Sequence, residues 1–321
     1  MRTHSRLLVT GADGFVGRHL VPLLRKTFPT ATLIAATRQA DPAPRDLAVD
    51  AFLPFDLLQP DQCKAMIATA RPDGLVHLAA QASVASSFND PLASWRANLV
   101  GTLALAEAVL SEAPQCRFVL ASSAEVYGLS FRAAEPLDEG ALLRPANPYA
   151  ASKAACDIAV GEMALRGLDA IRLRAFNHTG AGQSENFVIA AFARQLARIE
   201  AGVQDPVMHV GALTRWRDFL DVSDVCAAYA AALGRELQPG AVYNIASETP
   251  RSIGDILDTM IAQSVVKPRV EVEAGRLRPT DVERVVGSSA LARRELHWAP
   301  QIPWNQTVAA VLEDWRVRIR A

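Results

Sequence analysis

Tyr149 and Lys153 stand four residues apart in Tyr149-Ala-Ala-Ser-Lys153, at the opening of a segment with helical spacing. Positions i and i+4 share a helix face, so a phenol and an ammonium are aimed at one place. A nearby ammonium favours phenolate and draws a tyrosine down from about 10 toward working pH. A tyrosine tuned in this way can donate and accept a proton. Ser122 and Ser123 close the apolar run that precedes it. Sites in parallel sheets form at the carboxyl ends of the strands, where a hydroxyl can hydrogen-bond a reacting oxygen opposite the tyrosine. Ser123 suits that role, and Ser122 reads better as a cap on the strand end.

A second constellation lies near the N-terminus. The run Arg6–Thr10 passes into Gly11-Ala-Asp-Gly14-Phe-Val-Gly17 and then into an amphipathic segment. Glycines between a strand and a helix let backbone N–H groups approach a pyrophosphate at the helix N-terminus. Gly11 serves the tight turn, Gly14 the close approach and Gly17 the packing of helix on strand. The spacing is GxxGxxG rather than the commoner GxGxxG. An acid about 20 residues on would bind the ribose of NAD, but the second strand ends in Thr37-Arg38. Arg38 can pair with a 2′-phosphate, which favours NADP(H) and leaves NAD(H) possible. It can also be a solvated arginine. Asp56, after the third strand, is placed for the adenine edge or is a simple loop aspartate.

The elements that must hold these residues alternate in period. Arg6–Thr10, Thr32–Thr37, Phe52–Phe55, Leu75–Leu78, Arg117–Ser122 and Ala170–Arg174 read as strands. Phe15–Phe28, Asp61–Ala70, Ala93–Leu110 and Tyr149–Leu165 read as helices. Such alternation predicts an α/β fold, a doubly wound parallel sheet of Rossmann type. After residue 175 the rhythm breaks and prolines multiply, which predicts a smaller C-terminal substrate domain over 176–321. Asp221–Leu233 and Ala241–Ala246 still read as sheet elements, so a returning segment, 213–246, is expected to rejoin the first domain, 1–175.

Bulk properties bound the function. The chain has 321 residues, half of them hydrophobic, and a formal net charge of −1. That balance argues against a nucleic-acid partner bound by bulk charge. The four cysteines, Cys63, Cys116, Cys156 and Cys226, are isolated, so no metal site or disulfide framework is expected and a reducing compartment fits. No cleavable leader pattern opens the chain, and no apolar run reaches about 18 residues. The expectation is a soluble, cytoplasmic protein with no membrane contact.

Several stretches, taken in order, resemble the extended short-chain dehydrogenase/reductase family: Gly11–Gly17, His-Leu-Ala-Ala at 77–80, Asn98-Leu-Val-Gly-Thr, Ser-Ser-Ala-Glu-Val-Tyr-Gly at 122–128 and Pro-Tyr-Ala-Ala-Ser-Lys at 148–153. The resemblance covers nearly the whole chain. It implies a catalytic set of Ser123, Tyr149 and Lys153, with Glu125 beside them. It implies that Phe15, Val16, Leu57, Leu78, Ala79 and Ala80 line the cofactor site together with Gly11, Gly14, Gly17, Arg38 and Asp56. Asn98 is the family's helix-interior asparagine near the active site, or a structural asparagine. The resemblance also implies a homodimer through the helices Ala93–Leu110 and Tyr149–Leu165.

Arg174-Ala-Phe-Asn-His-Thr-Gly-Ala-Gly-Gln183 narrows the subgroup. It resembles the loop of GDP-4-keto-6-deoxy-mannose reductases, with Ala175 and Ala181 where prolines are typical. The implied partner is a GDP-sugar, held by Asn177, Val188, Arg217 and Arg278, since arginine forks suit phosphate oxygens. The bland alternatives are an ion pair of Arg217 with Asp218 or Asp221, and a surface role for Arg278. In related 4,6-dehydratases an acid at the position of Glu125 moves protons at C5 and C6, so Glu125 keeps dehydration open. The expected activity is reduction of a C4 keto group to the rhamnose configuration. Behind it stand a 6-deoxy-talose-forming reductase, a 4,6-dehydratase and a 4-epimerase. A regulator that binds NADP without turnover is the alternative from another class.

Overall fold

The computed structural model describes residues 2–38, 47–133, 135–273 and 282–320. The chain opens with β1 (Arg6–Thr10), α1 (Phe15–Thr27), β2 (Thr32–Thr37), β3 (Ala51–Pro54), α2 (Pro60–Ala70) and β4 (Gly74–His77). Then come α3 (Val84–Asn89), α4 (Pro91–Trp95), a π-helical turn (Arg96–Gly101), α5 (Thr102–Glu112) and β5 (Arg117–Ser123). A 3₁₀ segment (Ala124–Ala133) leads on to α6 (Pro148–Leu165) and β6 (Ala170–Ala175). The chain next leaves the sheet for β7 (Asn177–Thr179), α7 (Val188–Glu200), β8 (Val207–Val210) and β9 (Trp216–Asp221). It returns through α8 (Val222–Gly234) and β10 (Val242–Ile245), and ends with β11 (Pro250–Ser252), α9 (Ile253–Ala262), β12 (Arg269–Val272) and α10 (Trp304–Arg320).

Seven strands form one parallel sheet in the order β10-β6-β5-β4-β1-β2-β3. The order reverses between β1 and β4, and that switch point is where a crevice opens beyond the carboxyl ends of the strands. Both faces are covered, as a parallel sheet requires. Alternation along β1 shows it: Leu7 and Val9 join a core with Leu20 and Leu24 of α1 and Val225 and Tyr229 of α8. Leu8 joins the opposite core with Ile67 of α2, Leu105 of α5 and Val160 of α6. The doubly wound α/β architecture expected from the sequence is thus the one observed. All four cysteines are buried and free within it.

Beyond β6 two small sheets form, β11-β9-β7 and β12-β8. A third core gathers Ile189 and Phe192 of α7, Ile256 and Met260 of α9, and Val308 and Leu312 of α10. The sequence left this region irregular because its strands β7, β8, β11 and β12 are only three or four residues long. One helix also differs from expectation. The segment 93–110 is not a single α-helix, because the π turn interrupts it. Asn98 lies inside that turn and is buried. Its amide accepts from Gln81 N at 2.8 Å and donates to Gln81 O at 3.1 Å and to Ser152 Oγ at 2.9 Å. Asn98 therefore pins the chain after β4 to α6, which is its structural reading.

The carboxyl ends of β5 and β6 are tied to α6 by one buried carboxylate. Asp157 is fully buried on α6. It accepts from Ser122 Oγ at 2.5 Å, from Arg174 Nη2 at 2.8 Å and Nε at 3.1 Å, and from Arg172 Nη1 at 3.0 Å. Burial alone would raise its pKa, but the hydrogen bonds and charge of Arg174, aided by Arg172 and Ser122, hold it below the usual carboxylate range. Arg174 continues to Tyr127 Oη at 2.9 Å, and Tyr127 donates to Asn244 Oδ1 of β10 at 2.7 Å. Removing one partner of a buried ion pair strands the other charge and costs about 3–5 kcal/mol. We expect Asp157→Ala to lose about that much unfolding free energy in urea, and a loss below about 1 kcal/mol, the size of a surface pair, would contradict this account.

Candidate active site

Asn147 starts α6. Its side chain accepts from Ala150 N at 2.7 Å, and Pro148 follows at the first helical position. This cap fixes where the helix begins and so places Tyr149 in the first turn, facing the end of β5. The phenol lies beside the Ser123 hydroxyl. Ser123 Oγ also accepts from Glu125 N at 3.2 Å. Asn147 Nδ2 donates to Glu125 Oε2 at 3.3 Å. Ser123, Glu125, Asn147 and Tyr149 thus form one cluster. Asn147 was not foreseen, although an asparagine before Pro-Tyr at a helix start was the available sign.

Lys153 is buried one turn further along and donates to the carbonyl of Ala121. Burial lowers its pKa, with Cys156 and Asp157 opposing. The phenol of Tyr149 is pushed up to about 12, first by burial and then by the Glu125 carboxylate, against the hydrogen bond from Ser123. This corrects the expectation that Lys153 would draw the phenol toward neutral pH. The ammonium is engaged by a backbone carbonyl, and burial beside a carboxylate sets the acidity of the phenol. The result is a tyrosine protonated at neutral pH beside a serine hydroxyl. Such a pair is a proton donor and a hydrogen-bond donor aimed at one oxygen. Ser122 does not join it, because its hydroxyl is spent on Asp157.

The glycine loop lies at the switch point. Gly11 has a φ of +68°, and a Cβ there would stand 2.9 Å from Ala79 N. A Cβ on Gly17 would stand 2.5 Å from Ala12 O, so helix and glycine loop touch backbone to backbone. Gly14 caps α1, and no side chain takes up the N–H groups of the first turn. Those free donors and the positive end of the helix fit an anionic pyrophosphate. His77, at the end of β4, sits 2.7 Å from Thr10 Oγ1 and 2.9 Å from Thr102 Oγ1. Burial, then the charge of Lys153, pushes it down to about 3, so it is a neutral brace under the crevice. Ala79 N donates to Thr10 Oγ1 at 3.3 Å, and Leu78 packs on the core beneath. Ala80 is exposed beside them, as is Arg38 at the end of β2. Phe15 and Val16 open α1 and also pack on that core. Asp56 accepts from Leu58 N at 3.0 Å, which closes its own turn, and Leu57 packs on the opposite core.

The loop 174–183 runs from β6 through β7. Most of its polar groups are spent inside the protein. His178 Nδ1 lies 2.9 Å from Phe176 O, and its ring stacks on Phe15 with centroids 6.3 Å apart. Thr179 Oγ1 donates to Gln183 Oε1 at 2.7 Å. Among the described residues, the Asn177 amide has no hydrogen-bond partner, which leaves it free for a ligand. Val188 opens α7 and is exposed. Arg217, on β9, donates through Nη1 to Trp216 O at 2.8 Å and Val282 O at 2.9 Å. Asp218 is buried and accepts instead from Ser247 and from the backbone of Glu248 and Gly287. Arg278 lies outside the described residues. Among the described residues no group of three His, Cys, Asp or Glu side chains gathers to hold a metal. Nor is any helix among them long and apolar enough to cross a membrane.

A family profile described as GDP-mannose 4,6 dehydratase matches residues 8–311. The chain belongs to that family. It is 35% identical to a GDP-6-deoxy-D-mannose reductase of Pseudomonas aeruginosa, over 98% of this chain and 99% of the relative. It is 28% identical to GDP-mannose 4,6 dehydratase 1 of Arabidopsis thaliana, over 96% of this chain and 88% of the relative. Among solved structures it superposes on RMD from Pseudomonas aeruginosa complexed with NADPH, with a TM-score of 0.84 and 33% identity, covering 98% of this chain and all of that one. It also superposes on the Thermus thermophilus UDP-glucose 4-epimerase in complex with NAD, with a TM-score of 0.85 and 27% identity, covering 97% and 99%. GDP-mannose dehydratase-like enzymes therefore share both the sequence and the fold of this chain.

The four tyrosines of the chain are Tyr127, Tyr149, Tyr229 and Tyr243. Burial raises Tyr127 and Tyr149 to about 12, and raises Tyr229 and Tyr243 as well. Groups raised on folding stabilise the protein below their unfolded pKa of about 10, and that contribution is lost as pH climbs past it. In a near-ultraviolet titration we expect no tyrosinate below about pH 10.5, followed by all four with unfolding. A tyrosine ionising near neutral pH and absent from Tyr149→Phe would overturn the assignment.

Proposed function

We propose that the chain is an NAD(P)H-dependent reductase that converts GDP-4-keto-6-deoxy-D-mannose to GDP-D-rhamnose. The observation that carries the reading is the cluster at the crevice, where the Asn147 cap on α6 places Tyr149 beside Ser123 and Glu125 at the end of β5. Reducing a ketone consumes a proton at the oxygen, and Tyr149 holds one ready at neutral pH. The 35% identity to a GDP-6-deoxy-D-mannose reductase supports the same substrate class.

The nicotinamide cofactor supplies the hydride. The first turn of α1, with Gly11, Gly14, Phe15, Val16 and Gly17, would hold its pyrophosphate. Leu78, Ala79 and Ala80 would line its path, and Asp56 and Leu57 would meet its adenine. Arg38, exposed at the end of β2, would pair with a 2′-phosphate, which supports NADP(H) as the preferred form; the relative complexed with NADPH agrees. Lys153 would hold the nicotinamide ribose. As charge grows on O4 of the sugar, Ser123 donates a hydrogen bond to it and Tyr149 transfers its proton. Solvent then reprotonates the phenolate. Asn177, Val188, Arg217 and Arg278 are assigned to the GDP-sugar, all within the C-terminal region 176–321; of the expected returning segment 213–246, α8 and β10 rejoin the dinucleotide-binding part, while β9 stays in a small sheet.

A second reading, dehydration of GDP-mannose, is favoured by Glu125, whose carboxylate Asn147 holds beside Tyr149. Dehydration needs a base at C5, whereas ketone reduction removes no C–H proton. Tyr149→Phe should therefore lower kcat for the 4-keto sugar about 10²–10⁴-fold, the worth of a positioned acid. Glu125→Gln should lower it far less. Steady-state kinetics with NADPH and with NADH check both variants and the cofactor preference. Formation of the 4-keto sugar from GDP-mannose, lost in Glu125→Gln, would replace the reductase reading with the dehydratase one.

We also propose a homodimer. Phe88, Leu92 and Val100 are half or more exposed on α3, α4 and the π turn, and Ile158 and Leu165 are exposed on the neighbouring α6. Exposed apolar side chains on neighbouring elements fit a second copy of the same surface. Light scattering at micromolar concentration should give twice the 34.5 kDa chain mass, and a monomer mass would remove the proposal.

A further inference from the structure

Nothing in the sequence ties the C-terminal helix to the sugar loop, yet the two are joined by a chain of hydrogen bonds. Asp314 lies in the last turns of α10. Its Oδ2 accepts from Gly182 N at 2.9 Å. The same oxygen pairs with Arg318 Nη2, one turn on, at 2.8 Å. Arg318 lies over the Trp315 ring, 4.7 Å from its centroid, and Nη1 reaches Gln183 O at 3.4 Å. Helix α10 itself is fixed, with Val308, Val311 and Leu312 fully buried in the third core.

From Gln183 the relay turns back along the loop. The buried Gln183 side chain accepts from Thr179 Oγ1 at 2.7 Å and donates through Nε2 to His178 O at 3.0 Å. The next residue back is Asn177, the loop side chain left without a partner. On the far side, the loop rests on α1: His19 Nε2 lies 2.8 Å from Ala181 O, and Phe15 stacks on His178. A short loop rich in glycine has little rigidity of its own, and a binding group is useful only where its support holds it still.

We propose that Asp314, oriented by Arg318, is a positioning residue for the nucleotide-sugar loop and acts on Asn177 through Gln183. The inference rests on the loop's role proposed above. Neither Asp314 nor Arg318 needs to touch the ligand. Asp314 acts by fixing the turn at Gly182 and Gln183, whose amide clamps both sides of Thr179. Loss of the contact should weaken sugar-nucleotide binding and leave the cofactor, bound at the glycine loop, unaffected.

The test compares wild type, Asp314→Ala, Asp314→Asn, Gln183→Ala and the double variant Asp314→Ala/Gln183→Ala. Calorimetry with GDP and separately with NADPH is run on each, with KM for the 4-keto sugar and thermal midpoints alongside. Asp314→Ala should weaken GDP binding and raise the sugar KM roughly three- to tenfold, the worth of one hydrogen bond. NADPH affinity should be unchanged. Asp314→Asn, which keeps an acceptor for Gly182 N, should recover most of the loss. The double variant should lose no more than Gln183→Ala alone, since both act through one relay. Wild-type affinity for GDP in Asp314→Ala, additive losses in the double variant, or equal loss of NADPH and GDP binding with a lowered thermal midpoint would each overturn the inference. A wild-type protein that binds neither GDP nor the keto sugar would instead defeat the functional reading, and this inference with it.

Discussion

The fully buried carboxylate of Asp157 is the constraint on which the site depends. It is placed where β5, β6 and α6 converge, and it accepts from a residue of each strand while standing on the helix. A charge in that position is tolerated only because Arg172, Arg174 and Ser122 satisfy it. In return the three elements hold one relative placement. Ser123 follows Ser122 on β5, and Tyr149 and Lys153 precede Asp157 on α6, so the donors of the site are each a few residues from the lock. Through Tyr127 and Asn244 the same network reaches the edge strand β10.

The second organising feature is the switch point between β1 and β4. It brings the glycine loop against Ala79 at backbone distance and leaves the first turn of α1 without a capping side chain. The neutral His77 bridges two threonines beneath it, so the floor of the crevice carries no charge that competes with the helix end. Phe15 then links this loop to His178, so the glycine loop and the loop 174–183 share one wall.

Much of this was legible in the sequence, for physical reasons. Parallel strands buried on both faces read as continuous apolar runs, so β1, β2, β4, β5 and β6 stood out. The glycine spacing and the Tyr149–Lys153 interval were legible because local geometry alone dictates how such residues are presented. What was hidden depended on distant contacts. The acidity of Tyr149 could not be read from its spacing to Lys153, since burial and Glu125 raise its pKa. Asp157 is a lone acid among Cys156, Ile158 and Ala159, and its oddness on an apolar helix was the only sign of the lock. The hydroxyl and amide groups of Thr179 and Gln183 looked available for a ligand but bond to each other. The π turn at Asn98 breaks a helix that periodicity draws as continuous.

The central claim is that a protonated tyrosine beside Ser123 makes this site a donor to a growing alkoxide at sugar C4. The most direct measurement is NADPH oxidation with enzymatically prepared GDP-4-keto-6-deoxy-D-mannose, followed by proton NMR of the product. The account predicts cofactor consumption matched by a product whose H4 shows the large couplings to H3 and H5 of an axial hydrogen, the rhamnose configuration. Small couplings would assign the 6-deoxy-talose product instead, and unconsumed NADPH in the presence of the keto sugar would contradict the claim.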